Sequence, residues 1–297
     1  MISILIPTYN YDVLQLVSTI NKQAKEINGK YEIIICDDCS STNYDYVYNQ
    51  FNKEVCIKVI KSKKNNGLAI TRNILAQSAG YDWLLFLDAD VIPKEENFLK
   101  KYYSEISLNT SIVYGGLEYL NTQSNFSLRY KIGVKREAIE AKTRSSNNNS
   151  AIHFSNIVIS KKVFNTIKFD ESITNYGHED TLFHYQIQKQ NYPIKHINNA
   201  VYHLGIYANV IFIRKMRESV TTLYTLDKQE KIPKNYTKLQ RTYLTLKKYK
   251  AQNCFLKISN VFLTLIIKNL ESKKPSLFLF DIFKLNYFCH LKLEGNA

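Results

Sequence analysis

Long apolar runs and an N-terminal leader are the first features that this sequence lacks. Its longest apolar stretch, Val261–Ile267, falls far short of the ~20 residues that a membrane-spanning helix needs. The N-terminal segment contains no basic side chain and becomes polar by Thr8, unlike a secretory signal peptide. We therefore expect a protein that faces the cytoplasm.

Paired cysteines are absent as well. The five cysteines are an odd, scattered set, which argues against a disulfide framework. Cys36 and Cys39 form one C-x-x-C pair, but the acidic Asp37 and Asp38 between them disfavour thiolates, and a zinc site would need a second pair. The sequence therefore favours neither a redox motif nor a structural zinc site.

What is present is enough apolar material for a folded core and an uneven excess of positive charge. The 297 residues are 45% hydrophobic, and 40 Lys and Arg against 26 Asp and Glu give a formal net charge of +14. Residues 1–210 contribute 23 basic and 20 acidic side chains, whereas residues 211–297 contribute 17 and 6. A chain of this length can hold one large α/β domain with an appendage, or two domains. We predict a catalytic domain of the α/β class at residues 1–207 and a basic helical C-terminal extension at residues 208–297.

The extension repeats aromatic and aliphatic residues with Lys and Arg between them, in helical patterns. Such helices either pack an apolar face on the rest of the protein or lie on an anionic membrane surface, and both interpretations stay open. Nucleic-acid-binding proteins can also carry basic extensions, but no zinc-finger spacing or RNA-recognition signature accompanies this one. We therefore expect no nucleic-acid partner.

The N-terminal two thirds of the chain alternate between apolar runs and helical patterns. The predicted strands are residues 2–6, 31–36, 56–60, 83–87, 111–120 and 194–203. The predicted helices are residues 11–25, 44–51, 68–78 and 95–107, with a further helix that starts at residue 179. This spacing predicts right-handed βαβ units and a Rossmann-like, mainly parallel sheet flanked by helices. We predict that residues 121–150 form a mobile loop with some helix at residues 127–141.

Polar residues follow three of these strands. The clusters are Pro7, Thr8, Tyr9 and Asn10, then Asp37 to Ser40, then Asp88 and Asp90. Because the carboxyl ends of parallel strands lie at one edge of a sheet, we expect the clusters to converge on one cleft. At strand spacing Asp88 and Asp90 point to the same side, and two close carboxylates favour Mg²⁺ or Mn²⁺. The alternative is a strand-terminating turn in which these side chains accept backbone N–H bonds.

Two further positions suit a nucleotide. The Asp38 carboxylate could accept a base N–H or a ribose hydroxyl, and the alternative is an N-cap of the next helix. Gly67 permits a tight entry to a helix, and Arg72 offers a guanidinium suited to a diphosphate. The alternative there is an ordinary Asn/Gly turn and a surface arginine.

The ordered motifs PTYN, DDCS, NNGLAITRN and DAD, followed by GHED at residues 177–180, resemble the family 2 glycosyltransferases of the GT-A fold over about residues 1–205. The resemblance implies transfer of a sugar from a nucleotide-sugar donor, with a UDP-sugar as first expectation, and inversion at the anomeric carbon. The donor residues that it implies are Pro7, Thr8, Tyr9 and Asp38 at the base and ribose, Arg72 at the nucleotide, and Asp88 at the ribose or the metal. Cys39 departs from the family pattern, which usually has Gly there.

The resemblance also implies the catalytic residues and the metal ligands. Glu179 and Asp180 open a predicted helix, where the helix dipole alone would favour carboxylates. The similar motif in the family places the general base at Asp180, and we expect Glu179 to orient the acceptor hydroxyl, which must lose its proton as it attacks. His203 resembles the histidine that several of these enzymes use beside Asp90 and Asp88 for Mn²⁺ or Mg²⁺. A structural strand histidine is the alternative.

The leading hypothesis is therefore an inverting, metal-dependent hexosyl- or N-acetylhexosaminyltransferase. It would act on a glycan or lipid-linked acceptor in polysaccharide or cell-envelope biosynthesis, in the cytoplasm or peripherally on the inner face of the membrane. A sugar nucleotidyltransferase is the enzymatic alternative, although residues 7–10 are not the Gly-rich, basic loop expected of that class. A nucleic-acid-binding protein is the alternative outside enzymes.

Overall fold

The computed structural model describes residues 1–27, 29–106, 110–120, 127–146 and 151–294, and within these ranges the chain forms two compact units. The first unit takes its described residues from 1–120, 135–174 and 179–205, and the second from 121–134, 175–178 and 206–297. The domain boundary at residues 207/208 stays a prediction. Residues 121–126 and 147–150 of the predicted mobile loop lie outside the described ranges, as does Ser107 at the end of a predicted helix.

The described strands and helices follow the chain in an order close to the prediction. The strands are β1 (Ile2–Thr8), β2 (Tyr31–Asp37), β3 (Ile57–Lys61), β4 (Trp83–Leu87), β5 (Val91–Pro93), β6 (Ile112–Tyr114), β7 (Leu117–Glu118), β8 (Asn156–Ser160), β9 (Ile194–His196) and β10 (Val201–His203). The helices are α1 (Leu14–Lys25), α2 (Asp45–Tyr48), α3 (Leu68–Ser78), α4 (Phe98–Glu105), α5 (Leu128–Arg136), α6 (Ala141–Ser145), α7 (Lys161–Ile167), α8 (Glu179–Lys189), α9 (Asn209–Lys228), α10 (Lys238–Lys248), α11 (Gln252–Val261), α12 (Leu263–Glu271) and α13 (Leu277–Glu294).

A large mixed sheet forms the centre of the first unit, with the strand order β3-β2-β1-β4-β8-β6-β9. Strands β1 to β4 run parallel, β8 is antiparallel to both of its neighbours, and β6 is parallel to β9. All seven residues of β1 are buried, as expected for a strand covered on both faces. The predicted α/β class with a mainly parallel sheet is confirmed.

A cluster of phenylalanines fixes α8 against this sheet. The ring of Phe154 lies 5.2 Å from that of Phe86 on β4, 4.6 Å from that of Phe169 and 4.7 Å from that of Phe183 on α8. Each buried ring contributes roughly 2 kcal/mol from burial alone. The start of α8, with Glu179 and Asp180 in its first turn, is therefore held firmly within the first unit.

Two predicted strands are each interrupted in the structure. The predicted strand 111–120 forms β6 and β7 in different sheets, because Gly116 has a φ of +92° that breaks the extended backbone between them. The predicted strand 194–203 likewise forms β9 in the large sheet and β10 in a small sheet of order β5-β10-β7. The second break matters for the site, since it brings β10 beside β5.

Residues 128–134 of α5 and helices α9–α13 make up most of the described second unit. Its core consists of aliphatic and aromatic residues, namely Leu128, Ile132, Phe212, Ile213, Ile266, Leu270, Phe280 and Phe283. Thr237 and Gln240 close the start of α10 with a reciprocal capping box. Across the described residues, none of the helices has both the length and the apolarity needed to cross a membrane.

Candidate active site

The three polar clusters predicted from the sequence follow strands that are neighbours in the sheet. Strands β2, β1 and β4 lie side by side and parallel, so their carboxyl ends share one edge. The N–H of Asp38 donates to the Thr8 carbonyl (2.9 Å), and the Asn10 side chain accepts from the N–H of Ser41 (2.8 Å). The first two clusters are therefore tied directly to each other.

The loop after β2 is organised by two carboxylates with separate tasks. Asp37 accepts from the Tyr48 hydroxyl (2.9 Å) and from the N–H of Ser40 (2.9 Å), which closes the loop. Cys39 within this loop has a φ of +64°, the left-handed conformation that favours glycine. This conformation explains in physical terms why Gly would suit the position.

Asp38 holds the turn that leads into α3. Its Oδ1 accepts from the backbone N–H (2.9 Å) and side-chain amide (3.1 Å) of Asn66, and its Oδ2 accepts from the N–H of Gly67 (2.8 Å). The sequence suggested two roles for Asp38, a contact with a base or ribose and an N-cap of the next helix. Neither of them included holding the turn that leads into α3. A contact of Asp38 with a donor stays a prediction.

The PTYN residues differ in what they can offer a ligand. Pro7 and Thr8 belong to buried β1, and the Thr8 hydroxyl donates to the Tyr11 carbonyl at 3.1 Å. Tyr9 is half-exposed (50%), so its ring is accessible from solvent. Of these residues, Tyr9 is the one whose side chain is open to stacking on a planar ligand.

Arg72 is the centre of a buried network of carboxylates. It lies on α3 and is only 1% exposed. Its Nη1 donates to Asp180 Oδ1 at 2.7 Å and lies 3.5 Å from Glu179 Oε1, while its Nη2 donates to Asp88 Oδ1 at 2.9 Å. The surface arginine considered as an alternative is thus wrong. The guanidinium is engaged by protein carboxylates, and its contact with a nucleotide stays a prediction.

Asp88 is held in its ionised form by two partners. Burial alone would raise its pKa, but the Arg72 charge and a hydrogen bond from the Ser155 hydroxyl (2.7 Å) outweigh burial and lower it. Both carboxylate oxygens thus have a partner within the protein. Asp88 can orient Arg72 and present a fixed negative charge at the end of β4.

Asp180 and Glu179 share the first turn of α8 but differ in their surroundings. Asp180 accepts from Arg72 through Oδ1 and from the N–H of Phe154 through Oδ2 (3.0 Å). Burial, followed by the neighbouring Asp180 charge, raises the pKa of Glu179 to about 7, against the opposing effect of Arg72. Near neutral pH Glu179 can therefore take up or release a proton, which is a property of acid–base residues.

The register of β5 and β10 brings Asp90 and His203 together. His203 pairs with Val91, the residue after Asp90, and His203 Nε2 lies 3.8 Å from Asp90 Oδ2. Gly205 makes this approach possible, because a Cβ there would lie 1.8 Å from Asp90 Oδ2. The ring of Tyr119 stacks on that of His203 with centroids 5.6 Å apart.

An oxygen and an imidazole nitrogen in this arrangement fit a divalent cation. Their separation of 3.8 Å is less than twice the ~2.1 Å typical of Mg²⁺–oxygen or metal–imidazole bonds, so both could contact one ion. Throughout the described ranges, however, three or more His, Cys, Asp or Glu side chains do not gather into a possible metal site. Asp88 as a third ligand beside Asp90 and His203 stays a prediction. Strand β4 ends at Leu87, so the alternation of side chains along a strand does not extend to Asp88 and Asp90. These two side chains therefore have different contacts.

Four contributors to this site were not among the site residues predicted from the sequence. Ser155 fixes Asp88, while the rings of Phe154 and Phe169 lie 5.4 and 5.2 Å from the Arg72 guanidinium. Asn66 fixes Asp38. The motif NNG pointed to a turn at Asn66, but nothing in residues 151–169 identified Phe154, Ser155 or Phe169 as neighbours of Arg72.

Comparison with known proteins gives one family match. The family model described as "Glycosyl transferase family 2" matches residues 3–168, more than half of the chain. A curated relative from Escherichia coli, named UDP-Glc:alpha-D-GlcNAc-diphosphoundecaprenol beta-1,3-glucosyltransferase WfgD, is 27% identical over 124 residues, which are 42% of this chain and 48% of the relative. The matches to this relative and to three other curated relatives cover between 23% and 48% of the length of each, so the chain spans less than half of each relative.

Solved structures give a similar fold over most of the chain. The mannosyltransferase PcManGT of Pyrobaculum calidifontis, in complex with GDP-Man and Mn²⁺, has a TM-score of 0.59 at 12% identity, covering 99% of this chain and 86% of that one. S. aureus TarS 1-349, in complex with UDP-GlcNAc, has a TM-score of 0.53 at 18% identity, covering 99% and 92%. At such identities these likenesses concern the fold alone.

Proposed function

Because the chain belongs to glycosyl transferase family 2, we propose that it is an enzyme that transfers a sugar from a nucleotide-sugar donor, with a UDP-sugar as the first choice. UDP appears in the printed name of the relative WfgD and UDP-GlcNAc in a TarS complex, whereas PcManGT was solved with GDP-Man. A hydroxyl of a glycan or a lipid-linked saccharide is the proposed acceptor, since WfgD is named for a diphosphoundecaprenol-linked substrate. The reaction would belong to cell-envelope polysaccharide synthesis.

The proposed donor site is the shared carboxyl edge of β1, β2 and β4. Tyr9, with its exposed ring, would stack on the base, while Pro7 and Thr8 would shape the backbone that it rests on. Asp38 would face the ribose from a carboxylate held rigid by Asn66 and Gly67. Asp88 and Arg72 would supply fixed charges beside the nucleotide.

Asp90 and His203 are the residues that would hold Mn²⁺ or Mg²⁺. Their donor atoms and separation fit such an ion, and Gly205 keeps the space beside Asp90 clear. Such an ion, when bound, supplies positive charge that stabilises a departing diphosphate. On the protein side, the β5–β10 pairing places His203 opposite Val91, the residue after Asp90.

Asp180 is the proposed general base of an inverting displacement. The acceptor oxygen would attack the anomeric carbon as the bond to the diphosphate oxygen breaks, the diphosphate would leave with that electron pair, and Asp180 would take the hydroxyl proton. Arg72 and the N–H of Phe154 hold the Asp180 carboxylate in a fixed position for this step. Glu179, with a pKa of about 7, would orient the acceptor hydroxyl through a hydrogen bond.

The observation that carries this proposal is the convergence of Asp88, Glu179 and Asp180 on Arg72 within a chain of this family. The described residues give no observation that favours either alternative, a sugar nucleotidyltransferase or a nucleic-acid-binding protein. We place the enzyme in the cytoplasm beside the inner face of the membrane, where a lipid-linked acceptor would meet it.

A donor screen tests the proposal. The protein is incubated with Mn²⁺ and a panel of UDP- and GDP-sugars, and release of the nucleoside diphosphate is measured with and without EDTA. We expect slow hydrolysis of one donor, loss of activity in EDTA and recovery with Mn²⁺, and loss in Asp90→Ala. Turnover that is unchanged by EDTA would contradict the metal assignment, and the absence of turnover with every donor, with or without added glycan acceptors, would contradict the proposed donor class.

A further inference from the structure

Helices α11 and α12 expose a row of large apolar side chains, which we call the outer stripe: Ile258, Val261, Phe262 and Leu265. These four side chains are 56%, 76%, 51% and 61% exposed, respectively. Their spacing is i, i+3, i+4 and i+7, which places residues on one face of a helix. Phe262 joins the two helices with φ and ψ of −95° and 0°, beside the helical region, so the spacing is carried across the junction.

The opposite face of the same two helices is already packed inside the second unit. Leu256 and Ser259 of α11 and Ile266 and Leu270 of α12 are buried. Asn286 of α13 donates to Ser259 Oγ at 2.8 Å and to Asn260 Oδ1 at 2.8 Å. The outer stripe therefore cannot turn inward without breaking this packing, and α11–α12 are apolar on two opposite faces.

Lysines lie before and after the outer stripe along the chain. Residues 252–274 contain four lysines, Lys257, Lys268, Lys273 and Lys274, and one acidic residue, Glu271. All four lysines are exposed, and within the described part of the chain none of them takes part in an ion pair. Lys257 precedes Ile258, and Lys268 lies one turn after Leu265. The row of apolar side chains therefore has a lysine at each end.

We propose that the outer stripe inserts into the interfacial layer of an anionic lipid bilayer, with the four lysines contacting the negatively charged headgroups. A surface helix with a long apolar row between lysines matches the amphipathic pattern of interfacial membrane helices. The lysine stems can lie along the apolar layer while their ammonium groups remain among the headgroups. The inference concerns only the second unit and does not depend on the donor, metal or base assignments.

Charge also argues against a second copy of the chain as the occupant. A symmetric dimer would place the same patch on both sides of the interface, so the lysines of one copy would face those of the other. Like charges at such an interface repel, whereas an anionic surface attracts them. An anionic bilayer therefore offers an apolar layer to the outer stripe and negative charge to the lysines.

Vesicle sedimentation of the full chain tests the proposal. Vesicles of phosphatidylcholine with phosphatidylglycerol are compared with vesicles of phosphatidylcholine alone, at low and high salt. We expect pelleting with the anionic vesicles that weakens at high salt. The double variant Val261→Ser/Leu265→Ser should lose about tenfold or more in apparent partition, since burial of each such side chain is worth at least one tenfold step. Val55→Ser, at a fully exposed position of the first unit, is the matched control and should bind as the wild type does.

A fluorescent reporter tests insertion directly without removing apolar surface. Phe262→Trp should show a blue shift and quenching by brominated phosphatidylglycerol, whereas Val55→Trp should show neither. Equal pelleting with neutral vesicles, no pelleting, or unchanged binding of the double variant would each overturn the proposal. So would concentration-dependent self-association that the double variant abolishes, because the outer stripe would then be an interface between copies.

Discussion

The buried arginine at the centre of the site gives a quantitative prediction about stability. Arg72 is 1% exposed and bonds Asp180 at 2.7 Å and Asp88 at 2.9 Å. In Arg72→Met these carboxylates would stay buried without their counter-charge, and removal of one partner from such a network costs roughly 3–5 kcal/mol in free energy of unfolding. Arg72→Lys keeps the charge but loses the planar fork that reaches both carboxylates, so we expect a smaller loss, about half as large.

Urea unfolding at pH 8 and pH 5 measures this loss. In the wild type Arg72 lowers the folded-state pKa of Asp88, so this contribution is present at neutral pH and is lost as pH falls through the folded pKa. Without Arg72, burial would raise the pKa of Asp88, and the variant would lose stability as pH rises. Both pH values lie above the ordinary Asp pKa of 3.8, so the first contribution is the same at pH 5 and pH 8. The second effect makes the difference in stability between Arg72→Met and wild type larger at pH 8 than at pH 5.

The control is Arg241→Met, since Arg241 is exposed and donates to the carbonyls of Asn235 and Tyr236. We expect it to cost less than about 1 kcal/mol at either pH. A loss in Arg72→Met that is no larger than that of the control, and independent of pH, would refute the view that Arg72 holds the carboxylates in place.

Two further predictions concern single residues. The pKa of Glu179 is raised from 4.5 to about 7, so the folded protein binds more protons than the unfolded chain between these values, and stability should fall as pH rises across that window. In Glu179→Gln this fall in stability should be smaller. Urea unfolding should then show the variant to be more stable than wild type by up to roughly 3 kcal/mol at pH 8, but not at pH 4. Identical pH profiles of stability for the two proteins would contradict the raised pKa. Cys39 is exposed at a φ of +64°, so Cys39→Gly should stabilise the protein by about 0.5–1 kcal/mol, and a lower urea midpoint would show that its strain was misjudged.

The parallel half of the sheet was predictable because its strands are continuous apolar runs. The helix Leu68–Ser78 and the strand Trp83–Leu87 have the predicted bounds, since Gly67 and Asp88 interrupt the patterns on either side. Strand β8 was not predicted. A short apolar run such as Asn156–Ser160 does not indicate whether a strand will lie parallel or antiparallel, and only pairing with both β4 and β6 decides it.

The sequence indicated which residues belong to the site better than it indicated which of them contact each other. Residues of the right types follow β1, β2 and β4, and topology alone brings them to one edge. Arg72 and Asp180 are 108 positions apart, and their contact depends on the Phe154 and Phe183 packing that holds α8. Spacing along the chain contains no signal for such a contact.

The central claim, that this is a sugar transferase whose base opens α8, is tested most directly by the transfer rate of Asp180→Asn with the donor that the screen identifies. The amide is isosteric, and a helix N-terminus tolerates Asn, so the fold and donor affinity should hardly change. Transfer should fall by roughly 10²–10⁴-fold, the usual contribution of a positioned general base. Glu179→Gln should lose less rate and mainly raise the KM for the acceptor. Wild-type transfer by Asp180→Asn together with loss in Glu179→Gln would exchange the two roles, and undiminished transfer in both variants would contradict the account.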